Sequence, residues 1–520
     1  MVAVREKPTS VEAVVTVVTV VHLWLCQGGF GVAAAAPTTL ATGWKIWVVW
    51  VAKFADLRVP SQGTGGYATS GLCFGGPWYL TGRLAELLRP NAAPGVQGAV
   101  EDTIAKPKQG DWWHTESQQK IISAAQQREL LLIHGPPGTG KTSTAAAIVS
   151  QWIQKEGRVL CTAESHVAAQ RLKETLQGPV MHLKWTGDTP WSELQRQLQA
   201  ARVVVATCTG AGNDLLNSVE FRWLLIDEAT QATEPAALIP ICRSSGAQQL
   251  VLLGDPHQLP PTVLSAKAVQ WGLSKTLFDR LSEKQLPMLL DTQFRMHPKL
   301  CAFPAAAFYG NQLKTSGVTA ELVALEFRGV HGPEKQIGSS FCNASEADIV
   351  ISILPELATD LESILLVAPY RAQRGLLERR LADLPRDPRL QVSTIDALQG
   401  GECDFLIFSA TRSNATGAVG FLRDKRRVNV VLTRARRGII VVGDPRTLAN
   451  DATWAAWMEF ALSLEPLDPY TLAVRAEAHL CLGNRDDAIG DCDQALELSP
   501  GLEYAVVTRD RACSKDHPQE

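Results

Sequence analysis

From Glu116 onward, short apolar runs alternate with polar, helix-compatible stretches, the texture of a parallel sheet flanked by helices. One group of runs comprises Leu130–His134, Val159–Thr162, Val203–Thr207, Trp223–Ile226 and Leu250–Leu253. A second comprises Ile364–Ala368, Val392–Ile395, Phe405–Ser409 and Ile439–Val442. Each run is bounded by turn or polar residues, as a strand buried on both faces should be. Two groups predict two α/β domains, residues 111–290 and 291–462, with the break near Leu290.

The two ends of the chain read differently. Residues 1–110 are rich in Gly, Ala, Val and Trp and carry no periodicity that predicts elements. Within them, Ala13–Cys26 is an apolar run preceded by Arg5 and Lys7 and followed by Ala33–Ala36, which loosely matches a targeting peptide. His22 interrupts the run and it is too short to span a bilayer, so a buried strand or an extension fits it better. At the other end, residues 466–513 predict a small all-α tail. Pro469–Pro500 reads as two short helices parted by Leu482-Gly483-Asn484, and Gly501 opens a possible third. Ala476, Ala488, Ala495 and Pro500 fall at the spacing of one tetratricopeptide repeat. A lone repeat cannot bury its own apolar face, so the tail must pack on the rest of the chain, on a protein partner or on a second copy.

Composition narrows the picture modestly. A chain of 520 residues with 46% hydrophobic and 20% charged residues is an ordinary globular protein with room for several cores. Its net charge of −3 rules out a global polycation, but a local groove suffices to hold a phosphate backbone. Arg423, Lys425, Arg426, Arg427, Arg434, Arg436 and Arg437 form such a cluster, and its apolar interleaving predicts that part of it faces a cleft. The 11 cysteines stand singly, without a CxxC pair. That pattern argues against structural zinc and suits a reducing compartment, cytoplasmic or nuclear, and no membrane association is expected.

The chemistry is carried by strings that end the predicted strands. Gly135-Pro136-Pro137-Gly138-Thr139-Gly140-Lys141-Thr142 follows one apolar run and precedes an alanine-rich helix. Such a loop turns its N–H groups toward phosphates at a helix N-terminus. Lys141 supplies a charge for the β- and γ-phosphates, and the Thr142 hydroxyl is a ligand for Mg²⁺. Asp227 and Glu228 close another run; Asp227 suits the Mg²⁺ shell and Glu228 suits deprotonating an attacking water. Gln258, after Gly254-Asp255, is placed to sense the γ-phosphate. Arg295, in Gln293-Phe294-Arg295-Met296-His297-Pro298, and Arg434, in Thr433-Arg434-Ala435-Arg436, are candidates to stabilise phosphoryl charge from the opposing domain. Each feature alone has a plain structural alternative: a glycine turn, a strand-end carboxylate, a polar turn or a surface ion pair. Their order along one chain favours the chemistry.

Taken together the strings resemble superfamily 1B helicases, and within them the nonsense-mediated-decay type, the regulators of nonsense transcripts. The resemblance covers roughly Glu116–Glu459. Besides the strings above it rests on Ser117-Gln118, Ala206–Gly212, Val367–Tyr370 and Ser393–Glu402. It implies two tandem RecA-like domains with ATP and Mg²⁺ between them and a single nucleic-acid strand across their top, tracked 5′ to 3′. By resemblance Gln118 reads the adenine edge, Phe294 stacks on the base, and Gly400 and Glu402 lie near the γ-phosphate or ribose. Ser165, Thr207, Gly210, Pro369 and Thr394 fall in segments that touch the nucleic-acid backbone. This chain departs from the family in reading Ser165-His166 for the usual Ser-Asn, and in a Gln170–Ala201 segment much shorter than the family's prong-bearing insertion. It also shows no cysteine- and histidine-rich domain before the motor and no clear small β-barrel in residues 1–110. The expectation is an ATP-dependent helicase on single-stranded RNA, or on DNA, with a nucleotide-switched nucleic-acid clamp as the alternative.

Overall fold

The structure, a computed structural model, describes residues 17–22, 47–52, 88, 114–184, 189–244, 246–398, 401–464 and 469–513. Near the N-terminus β1 (Val17–His22) pairs antiparallel with β2 (Trp47–Ala52), so the described part of the apolar run, which includes His22, is a strand. Leu88 is buried in the core of the first lobe, and its carbonyl accepts from Arg280 Nη1 at 3.0 Å.

The first lobe is a seven-stranded parallel sheet. Its strands are β3 (Leu130–His134), β4 (Val159–Ala163), β5 (Val180–His182), β6 (Val203–Thr207), β7 (Trp223–Asp227), β8 (Gln249–Gly254) and β9 (Met288–Leu289). They lie in the order β5-β6-β4-β7-β8-β3-β9, every pair parallel. Alternate residues feed two cores: Leu132, Leu160, Val204 and Leu224 on one face, Leu131, Cys161, Val205 and Leu225 on the other. That two-sided burial is why these strands read as continuous apolar runs.

Helices of this lobe include α1 (Glu116–Ala124), α2 (Lys141–Trp152), α3 (His166–Thr175), α4 (Trp191–Ala200) and α5 (Glu234–Arg243), of which α2 and α3 reach the cleft. Thr115 and Gln118 close a reciprocal capping box on α1, and Ser165 and Thr233 cap α3 and α5.

The second lobe repeats the plan with β12 to β18. A short parallel pair, β10 (Thr292–Gln293) and β11 (Lys314–Thr315), precedes the main sheet, with α6 (Pro298–Tyr309) between them. The main sheet holds β12 (Ala324–Gly329), β15 (Ile364–Ala368), β16 (Leu390–Thr394), β17 (Cys403–Ser409) and β18 (Ala435–Gly443), in the order β12-β18-β17-β15-β16 and wholly parallel. A hairpin of β13 (Lys335–Ile337) and β14 (Ser340–Cys342) stands outside it. Strand β16 is an edge strand and only partly buried, unlike its neighbours, so the expectation of two-sided burial fails there. Helices α7 (Ala344–Ile353), α8 (Arg371–Ala382) and α9 (Lys425–Leu432) cover the sheet.

Helix α10 (Ala452–Leu462) links this lobe to the tail of α11 (Pro469–Cys481), α12 (Arg485–Leu498) and α13 (Glu503–Cys513). The apolar face of the tail is spent on the second lobe: Leu472, Ala473, Val474, Ala495 and Tyr504 share one buried cluster with Phe327, Trp457 and Val441. Burying a leucine side chain stabilises by about 1.5–3 kcal/mol. Truncating Leu472, which has no solvent exposure, should therefore cost about 2–5 kcal/mol in urea unfolding of the full chain. A loss below about 0.5 kcal/mol, the range of surface positions, would mean that the tail does not belong to this core.

Candidate active site

The phosphate-binding loop is built by close backbone packing. Gly138 and Gly140 both adopt positive φ, 73° and 75°, which side-chain-bearing residues rarely adopt. The loop is braced by Thr139 Oγ1 donating to Pro136 O at 2.8 Å and by Lys141 Nζ donating to Gly135 O at 2.8 Å. A Cβ on Gly135 would collide with the Lys141 stem, so the loop curls round that side chain. Gln118 lies buried beneath the loop. Its Oε1 accepts from Thr115 N at 2.9 Å and its Nε2 donates to Thr139 O at 3.1 Å, so its amide ties the α1 cap to the loop.

The second lobe closes directly on this loop. Phe294 N donates to Gly138 O at 2.9 Å, and a Cβ on Gly138 would meet the Arg295 side chain. Between the lobes lies a cavity of about 520 Å³. Pro136–Ser143, Asp227, Glu228 and Gln258 line it from the first lobe; Phe294, Arg295, Glu402, Arg434 and Arg436 line it from the second. Phe294 is 43% exposed and free to offer a ring face. Gly400 lies outside the described residues.

Four residues line the cavity that the sequence reading did not place there: Ser143, Ala168, Arg171 and Arg436. Ser165 joins them. Its hydroxyl caps α3 by accepting from Ala168 N at 3.1 Å, so in this structure it borders the nucleotide cleft. The signal for Arg171 was present in spacing, since Ser165, Ala168 and Arg171 recur every third residue along one helical face. Of the other residues expected at a nucleic-acid track, Thr207 is buried and accepts from Gly210 N at 2.9 Å, which stiffens the turn after β6. Pro369 follows β15 and Thr394 ends β16; both are partly exposed and neither lines the cavity.

Electrostatics suit a polyanion with a divalent cation. Lys141, Arg171, Arg295, Arg434 and Arg436 line the cavity together with Asp227, Glu228 and Glu402. Burial, reinforced by the neighbouring Glu228 charge, pushes the Asp227 carboxyl up to about 7. A buried carboxylate beside a second acid is what a bound cation relieves, so the donor set of Thr142 and Asp227 fits Mg²⁺. Glu228 sits at a positive φ of 51°, and its Oε2 accepts from Gln231 Nε2 at 3.1 Å. Such strain at a strand end aims a side chain.

Arg434 is buried, yet its guanidinium crosses between lobes: Nη2 donates to Gln258 Oε1 at 2.8 Å, Nε to Val430 O at 3.0 Å and Nη1 to Gly401 O at 3.3 Å. Burial, with the nearby Arg295 charge, lowers it to about 10, which leaves it protonated at neutral pH. Arg295 donates through Nε to Glu402 Oε2 at 2.7 Å and through Nη1 to Thr433 O at 3.1 Å; Arg436 takes the other Glu402 oxygen. The basic cluster is thus divided. Arg434 and Arg436 line the cleft, Arg437 pairs with Asp360 at 2.8 Å, and Arg423, Lys425 and Arg426 are exposed.

A phosphate-binding loop heading one parallel sheet, faced by a second sheet that lends guanidinium groups to the same cavity, defines a two-lobed P-loop nucleotide-binding protein. Family profiles agree: one described as AAA domain matches residues 273–446, and another of the same description matches residues 114–188 and 170–266. The chain is similar to the regulators of nonsense transcripts. It is 35% identical over 425 residues to the Regulator of nonsense transcripts 1 homolog of Drosophila melanogaster, covering 66% of this chain and 35% of that protein. It is also 35% identical over 415 residues to ATP-dependent helicase NAM7 of Saccharomyces cerevisiae, covering 65% of this chain and 42% of that protein. The chain thus spans less than half the length of these relatives. Among solved structures, the DUF1998 helicase MrfA bound to DNA aligns at a TM-score of 0.41 and 13% identity, over 70% of this chain and 55% of that one.

The cross-lobe contact has a measurable consequence. Gln258→Ala and Arg434→Ala should each destabilise the chain, and the double variant should lose less than the sum by at least about 0.5 kcal/mol in urea unfolding. Strictly additive losses would show that the two side chains do not depend on one another.

Proposed function

We propose that this chain is an ATP-dependent motor that moves along single-stranded nucleic acid, RNA in the first instance, with 5′ to 3′ polarity by family resemblance. The observation that carries the reading is the convergence of Lys141, Glu228, Gln258, Arg295 and Arg434 on one cavity between two lobes. ATP is the substrate for which that constellation is suited. Lys141 and the loop N–H groups hold the phosphates, Gln118 steadies the loop from below, and Phe294 offers its ring to the base. Glu228 accepts a proton from the attacking water as the bond from the γ-phosphorus to the bridging oxygen breaks. Arg295 and Arg434 meet the charge that develops on the transferred group, and Gln258, bonded to Arg434, carries the nucleotide state across the cleft. Mg²⁺, held by Thr142 and Asp227, supplies charge neutralisation on the phosphates. Glu402 completes the second-lobe side, and by family resemblance Thr207, Gly210, Pro369 and Thr394 border the strand.

A nucleotide-switched clamp is the second reading. Among the described residues, the chain between β4 and β6 forms α3, β5 and α4, and the whole segment is too short to project a prong against a strand. Strand displacement separates the readings, because a clamp hydrolyses ATP and binds the strand yet displaces nothing. Comparing ATPase stimulation by matched single-stranded RNA and DNA assigns the track.

Lys141→Ala or Glu228→Gln should reduce nucleic-acid-stimulated hydrolysis by at least about 100-fold with the circular dichroism spectrum unchanged. Undiminished turnover in either purified variant removes those residues from the proposed roles.

A further inference from the structure

A five-membered ladder of cations and rings lies on the second lobe, away from the nucleotide cavity. The Arg412 guanidinium sits 4.4 Å from the Phe341 ring centre, Phe341 meets the Tyr370 ring edge to face at 5.2 Å, and Tyr370 stacks on Phe421 at 5.2 Å and 25°. Arg427 completes it, 5.4 Å from the Phe421 ring centre. Of the three rings Phe421 is the most exposed, and Phe341 is half-buried. Tyr370 is buried, whereas Phe421 is 52% exposed.

Phe421 is also held rigidly. It belongs to the turn Gly420–Arg423, whose Leu422 is fully buried and accepts through its carbonyl from the Trp454 indole N–H at 3.0 Å. Gly420 has a φ of 62°, and a Cβ there would collide with Arg412 and with the Tyr370 hydroxyl. Arg412 is fixed by Glu334 at 2.8 Å, and Arg427 by Asp396 at 3.1 Å. A large apolar ring kept half in water by a locked backbone is a presented surface.

Its surroundings name the ligand. Exposed Arg423, Lys425 and Arg426 border the ring on its own turn and the helix that follows. Tyr370 directly follows Pro369, and Asp396 lies two residues after Thr394, the positions proposed above to border the strand. An aromatic face with one guanidinium against it, and exposed cations beside it in the chain, takes a planar base whose backbone is a polyanion.

We propose that Phe421 is a base-stacking platform that receives one unpaired nucleobase of the strand on the second lobe. The inference rests on the motor reading and adds to it a residue outside the nine strings. Stacking is indifferent to base identity, so the platform grips without reading sequence. An incoming base would displace the Arg427 guanidinium from the ring at the expense of its ion pairs with Asp396 and Asp424.

The test titrates the full chain, by fluorescence anisotropy, with labelled oligouridylate and with an abasic strand of equal length. Phe421→Ala should weaken binding of oligouridylate about tenfold, and Phe421→Trp should restore it. Salt dependence should keep the wild-type slope, because no phosphate contact is lost. On the abasic strand the wild type and Phe421→Ala should bind alike, and ATP hydrolysis without nucleic acid should not change. Equal binding of oligouridylate by wild type and Phe421→Ala overturns the platform, as does an equal loss on both strands. A wild type that binds neither strand overturns the motor reading itself, and the platform falls with it.

Discussion

A single buried carboxylate organises the joint between the lobes. Asp255, at the tip of β8, has no solvent exposure, and it accepts from His134 Nε2 at 3.1 Å, His257 N at 3.0 Å, Gln258 Nε2 at 2.7 Å and the Tyr309 hydroxyl at 2.9 Å. Burial alone would raise its pKa, but the His134 contact, the Lys141 charge and Gln258 outweigh it and hold the group at about 2. Tyr309 belongs to the second lobe and accepts from Asn429 Nδ2 at 2.7 Å; the same amide reaches His257 O at 2.8 Å. Gln258, oriented by Asp255, then presents its oxygen to Arg434. A charge this deep is tolerable only when its lone pairs are engaged, so the first lobe cannot satisfy Asp255 in this way without the second.

The charge pattern of the cleft follows from that joint. Arg434 is delivered by the C-terminal end of α9, with no freedom to drift because its guanidinium is anchored on both lobes. Arg295 and Arg436 share Glu402, which keeps two cations at the cavity while limiting their mutual repulsion. Cradle and acids come from strand ends of one sheet and guanidinium groups from the other. Neither lobe alone assembles the set.

Much of this architecture was legible because a strand buried on both faces must be apolar throughout. Leu130–His134, Val203–Thr207 and Ile364–Ala368 appear with the bounds that the apolar runs suggested. Strands β5, β12, β13 and β14 were not legible: they are short or lie at sheet edges, where half-solvated residues break the run. The site shows the same division. Gly135–Thr142 and the acid pair are local strings, and Arg171 shares a local helical spacing with Ser165, whereas the path from Asp255 through Tyr309 to Asn429 exists only once distant segments meet. The destination of the tail was equally hidden, since an amphipathic helix specifies that its face is covered but not what covers it.

The account turns on a guanidinium of the second lobe acting on a triphosphate held by the first. Single-turnover ATP hydrolysis by Arg434→Lys in the full chain tests this directly, alongside binding of a fluorescent ATP analogue. Lysine keeps the charge but not the fork that spans Val430 O, Gly401 O and Gln258. The expected result is hydrolysis slowed by about 10³-fold with analogue affinity within about threefold of wild type. Hydrolysis at the wild-type rate would contradict the account.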